Sequence, residues 1–99
     1  MDNILSEFIK GIVSRHQSLS LKQNIGELRV TKTGLNGSVW IKTRYSGFRL
    51  QTTGEVASLL DKEIERLQGN SSGEHKGYKY WHIDDSQIVE ELIDILGKA

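Results

Sequence analysis

Arg29, Trp40, Lys42, Arg44 and Arg49 all fall within Leu28–Gly54, a stretch with no Asp or Glu. Guanidinium and ammonium groups without a neighbouring acid are suited to neutralising phosphates, which releases condensed counterions. An indole set among them offers a stacking platform to any base, worth about 1–3 kcal/mol per stacked base. This combination holds single-stranded nucleic acid, DNA or RNA, without a hydrogen-bond code. Tyr78, Tyr80 and His82, alternate residues of YKYWHI, extend the set if their strand lies beside the others, and Thr31 and Gln51 add polar contacts.

The chain has 99 residues and a formal net charge of zero, yet the charge is divided along it. Residues 1–54 carry eight Lys and Arg against three acids, and residues 55–99 carry five against ten. Charge segregated in sequence can become charge segregated on a surface, which points to a polyanion or an acidic protein as partner. The competing expectation is that the halves neutralise each other on folding. A chain of this length makes a single domain with a modest core. No apolar run approaches the roughly 20 residues that span a bilayer, and MDNILSEFIKGIVSR does not read as a secretory signal. There is no cysteine, which excludes disulfides, thiolate metal sites and cysteine nucleophiles and fits a reducing cytoplasm.

The elements that must position these residues follow from hydrophobic periodicity. Ile4, Leu5, Phe8, Ile9, Ile12 and Val13 make a helical stripe over about residues 3–16. The polar HQSLSLKQN ends it, with Leu19 and Leu21 packing back on the core. Three strands follow: Gly26 to Thr33, Ser38 to Tyr45 and Phe48 to Thr52, joined by turns at Asn36-Gly37 and Ser46-Gly47. Thr52-Thr53-Gly54-Glu55 reads as a capping box opening a second helix to about Gln68. GNSSGEHKG reads as a loop, Tyr78 to Ile83 as a fourth strand, and Asp84 or Asp85 as the cap of a last helix. The expected fold is α+β, an antiparallel β-meander with helices packed on one face, in the order α-β-β-β-α-β-α.

Side chains alternate across a strand. Leu28, Val30, Val39, Ile41, Thr43, Tyr45, Phe48 and Leu50 thus take the core side, and Arg29, Thr31, Trp40, Lys42, Arg44, Arg49 and Gln51 the wet side. In the fourth strand Trp81 and Ile83 go in, so Trp40 is expected exposed and Trp81 buried. The order helix, three strands, helix over residues 3–68 is similar to a double-stranded RNA-binding domain. Where that family places a lysine-rich signature, at the start of its second helix, this chain reads TTGEVAS, so the phosphate clamp is missing and the family is not adopted. A curved sheet backed by helices with a basic aromatic face also looks like the small coactivator and Whirly-type single-strand binders, a similarity of shape.

Catalysis is not expected. His75, His82, Asp84 and Asp85 match no zinc spacing, no GxSxG elbow or phosphate-binding loop occurs, and His16 fits a helix-end contact. No metal or cofactor is implied. The expected activity is non-catalytic binding of nucleic acid, single-stranded in preference to duplex. Arg29, Lys42, Arg44 and Arg49 would hold phosphates and Trp40 would stack. The alternative is a protein-binding adaptor, a chaperone-like module or an inhibitor of the kind carried by a phage or plasmid, since Trp, Tyr and Arg also compose interface hot spots. A homodimer follows if the open sheet face or the first helix meets a symmetry mate.

Overall fold

A computed structural model describes residues 3–15, 19–24, 27–44 and 46–98. Its elements run α1 (Asn3–Arg15), β1 (Leu19–Asn24), β2 (Glu27–Lys32), β3 (Val39–Thr43), β4 (Phe48–Thr52), α2 (Gly54–Gln68), β5 (Gly73–His75), β6 (Tyr78–Ile83) and α3 (Ser86–Lys98). All six strands join one antiparallel sheet in the order β1-β2-β3-β4-β6-β5. The α+β class and the antiparallel sheet agree with the expectation, but the order α-β-β-β-α-β-α omits two strands.

Those two strands have identifiable physics. β1, LSLKQN, is an edge strand, and Leu21 packs against the core directly across from Val30. β5 has three residues and is held by a two-residue turn in which Lys76 (φ 56°) and Gly77 (φ 84°) both lie in the left-handed region. That geometry matches the twist of a tight hairpin and is ordinarily built with Asn or Asp before Gly. With four strands between the first two helices, the similarity to the double-stranded RNA-binding order does not hold either.

The register settles which residues share a face. Leu21, Val30, Val39 and Thr52 form one row across β1 to β4, and Leu28, Ile41, Leu50 and Trp81 form the next across β2, β3, β4 and β6. Against these rows pack Leu5, Phe8 and Ile12 of α1, Val56, Leu60 and Ile64 of α2, and Val89, Leu92, Ile93 and Leu96 of α3. All three helices bury their stripes in this one cluster, which leaves the opposite sheet face without a helix over it. Lys32 belongs to the inward row of β2 and is buried. Its ammonium donates to Leu96 O at 2.5 Å and reaches Gly97 O at 3.4 Å. It caps the last turn of α3, where a cation also meets the negative end of the helix dipole.

The capping box forms differently from the expectation. Thr53 is the N-cap of α2, but its hydroxyl accepts from Ser38 N at 3.0 Å and makes no cap bond. The Glu55 carboxylate accepts from Asn36 N at 2.9 Å, tying the β2–β3 loop to the helix start. Gly37 (φ 95°) and Gly54 (φ 63°) let these two backbones cross, since a Cβ on Gly37 would collide with Thr53 O. At α3 the cap is Asp85, which accepts from Gln87 N at 2.8 Å. His16, and Tyr45 at the end of the expected second strand, lie outside the described residues.

Candidate nucleic-acid interface

The open face of the sheet is organised in rows perpendicular to the strands. One row runs Lys22, Arg29, Trp40, Gln51, Tyr80 and Gly73, from β1 through β2, β3, β4 and β6 to β5. The neighbouring row places Lys42 opposite Arg49 and Arg49 opposite His82. The sheet thus brings together Arg29, Trp40, Lys42, Arg49, Gln51, Tyr80 and His82, as alternation predicts.

Two of the arginines are held in place by neighbouring side chains. Arg29 donates from Nε to Ser38 Oγ at 2.7 Å, and its guanidinium lies 5.0 Å from the Trp40 ring centroid. The Arg49 guanidinium lies 3.8 Å over the Tyr80 ring. Tyr80 in turn leans across Gly73, where a Cβ would strike its ring. Neither arginine pairs with an acid among the described residues. A guanidinium is planar and weakly hydrated, and one that lies over an aromatic face keeps the N–H groups not already bonded available along its edges.

Beside them opens a groove of about 440 Å³. Trp40, Lys42, Arg49 and Gln51 line it on the sheet side, with Glu27 at one end. Thr53 and the β5–β6 turn residues His75, Lys76 and Tyr78 close the other side. Gln51 fixes that turn, donating from Nε2 to His75 O at 3.0 Å and Tyr78 O at 3.1 Å. Glu27, His75 and Lys76 were not legible as site residues. Glu27 precedes the acid-free stretch, yet cross-strand pairing brings its carboxylate to 3.8 Å from Lys42 Nζ. Lys42 therefore does have an acid nearby, at a long distance and at an exposed position where such pairs contribute about 0–1 kcal/mol.

Several expected residues stand apart from the groove. Arg44 follows the end of β3, is exposed, and turns its guanidinium to Thr43 O at 2.9 Å. Thr31 faces the open side opposite Ser20, away from the groove lining. His82 is exposed, with Nε2 3.9 Å from Asp84 Oδ2. Arg49 covers one face of Tyr80 and Arg29 lies over one face of Trp40; of the aromatics, Trp40 and Tyr78 (42% exposed) line the groove. Trp40 is half-buried where it was expected exposed, because Arg29 and the groove wall cover part of it. Trp81 is fully buried, as expected, and its Nε1 finds no acceptor among the described residues.

The acidic half of the chain supplies two of the three helices on the far side, α2 and α3. There Arg66 meets Glu63 at 2.9 Å and Glu91 at 3.6 Å, and Lys79 meets Glu65 at 2.7 Å. These pairs all lie within residues 55–99, so the acids of α2 and α3 that they use are not spent on the sheet's cations. Asp61 on α2 accepts from Thr52 Oγ1 at 2.5 Å, and burial pushes its carboxyl above the ordinary range despite that bond and nearby Lys79. Among the described residues no cluster of His, Asp and Glu could hold a metal ion, and no helix is long and apolar enough to cross a membrane. The chain matches no protein-family model, no curated protein and no solved structure.

Proposed function

We propose that the protein binds single-stranded nucleic acid, without catalysis, on the open face of its sheet. The observation that carries this reading is the pair of arginines stacked on aromatics, Arg29 on Trp40 and Arg49 on Tyr80, without an acid partner among the described residues. Beside them lies a groove whose lining includes Trp40, Tyr78, Lys42, Arg49 and Lys76. Phosphates sit against Arg29, Lys42, Arg49 and Lys76, and bases stack on Trp40 and Tyr78. A duplex has no free base faces to offer the aromatic residues of the groove, because its bases are stacked on one another. Arg44, exposed just past β3, adds to the field at one rim.

A second reading, an acidic protein partner, rests on the same guanidinium groups of Arg29 and Arg49, which pair with carboxylates as well as with phosphates. Intrinsic tryptophan emission separates the two. Trp81 is buried, so changes on titration report Trp40. A mixed-sequence single strand at low salt should quench that emission by stacking, whereas polyglutamate should not. If the strand fails to bind at low salt while polyglutamate binds, the acidic protein takes first place.

A further inference from the structure

The floor of the groove holds an amide whose orientation its neighbours settle. Both contacts of Gln51 Nε2 are backbone carbonyl oxygens, His75 O and Tyr78 O. The flipped amide would set oxygen against oxygen twice, so nitrogen faces the turn. Both N–H bonds are then spent, and Oε1 is left with no donor among the described residues. Gln51 stands directly across the strands from Trp40, and both line the groove. The site thus pairs a stacking platform with a neutral acceptor anchored at its other end by the hairpin.

We infer that this groove is a single-base pocket in which Gln51 Oε1 accepts a hydrogen bond from the exocyclic amino group of a base stacked on Trp40. The inference rests on the nucleic-acid reading and adds a base preference to it. A volume of about 440 Å³ suits one unstacked nucleotide. Adenine, cytosine and guanine each offer an exocyclic amino group to an acceptor on their Watson–Crick edge. Thymine and uracil offer an N3–H flanked by two carbonyl oxygens, which a fixed acceptor oxygen repels. The pocket therefore prefers the bases with an exocyclic amino group, adenine, cytosine and guanine, to thymine and uracil. One neutral hydrogen bond of ordinary net strength corresponds to about a five-fold difference in affinity.

The test uses fluorescence anisotropy of the wild-type protein at low salt with three labelled strands of equal length. One is all adenine, one all thymine, and one carries unsubstituted purine, which lacks only the 6-amino group of adenine. The adenine strand should bind about five-fold more tightly than either of the others. Gln51→Leu should remove the difference, with its thermal midpoint measured alongside because the variant also releases the hairpin. The adenine–purine comparison on wild-type protein needs no variant. Equal affinity for those two strands overturns the inference and leaves the nucleic-acid reading standing. If no strand binds at low salt, both fall.

Discussion

Gly34→Ala and Gly37→Ala form a matched pair in the β2–β3 loop, with φ of 89° and 95° respectively. Each alanine enters the left-handed region, at about 1–2 kcal/mol. They differ in the space available. Nothing lies near a Cβ on Gly34, whereas a Cβ on Gly37 collides with the backbone of Thr53 at the start of α2. Relieving that collision must pull the loop from the helix. It strains Thr53 N→Ser38 O (2.9 Å), Val56 N→Asn36 O (3.2 Å) and Asn36 N→Glu55 Oε1 (2.9 Å). At about 1 kcal/mol for each of the three bonds weakened, added to the backbone term, Gly37→Ala should cost about 4–5 kcal/mol in total. Urea unfolding reads the difference directly, and in thermal unfolding it corresponds to about 10 °C or more between the two variants. Thr53 also lines the groove, so Gly37→Ala should weaken ligand binding even where it stays folded. Equal destabilisation by the two alanines would refute the close crossing of loop and helix.

Lys32→Met keeps the buried volume but removes the ammonium from Leu96 O and Gly97 O. A loss of about 2 kcal/mol in urea unfolding is expected, with faster amide exchange in α3; wild-type stability would show that the cap contributes nothing. For Asp61 the folded state holds its proton more tightly than the unfolded chain, whose value lies near 3.8, because burial disfavours the charged form. That contribution is fully present below the unfolded value and is lost as pH rises through the folded one. Asp61→Asn keeps an acceptor for Thr52 Oγ1 and cannot ionise. Its stability relative to wild type should therefore be greater at pH 7 than at pH 3, and a pH-independent difference would contradict the assignment. Acrylamide should quench half-buried Trp40 and leave Trp81 protected, so that Trp40→Phe abolishes most of the quenching.

The alternation of Arg29, Trp40, Lys42 and Arg49 against Val30, Val39, Ile41 and Leu50 was sufficient to divide the central strands into their two faces. The burial of Trp81 followed from the same period. Other features depend on contacts that no local pattern carries. β1 shows only two apolar residues, and as an edge strand it needs no more. β5 is concealed because Lys76, not Asn or Asp, takes the first left-handed position of its turn. Alternation alone puts Lys32 on the inward side, but the carbonyls that satisfy it come from α3, 64 residues away for Leu96. Glu27 enters the site through strand register, and the β5–β6 turn through the side chain of Gln51. The candidate site was thus visible as a charge and aromatic pattern on strands, while its walls were tertiary.

The central claim is that Arg49 and its neighbours meet phosphates. The most direct measurement is the affinity for a mixed-sequence single strand over a series of salt concentrations, for wild type, Arg49→Ala and Arg66→Ala. Arg66 serves as the control because it lies on the helical layer, paired with Glu63 and Glu91. The plot of log affinity against log salt should be steep for wild type, with each single-strand phosphate contact adding about 0.7 to the slope. Arg49→Ala should bind more weakly and lose about that amount of slope, and Arg66→Ala should match wild type. A shallow wild-type slope, or one that Arg49→Ala leaves unchanged, would contradict the account.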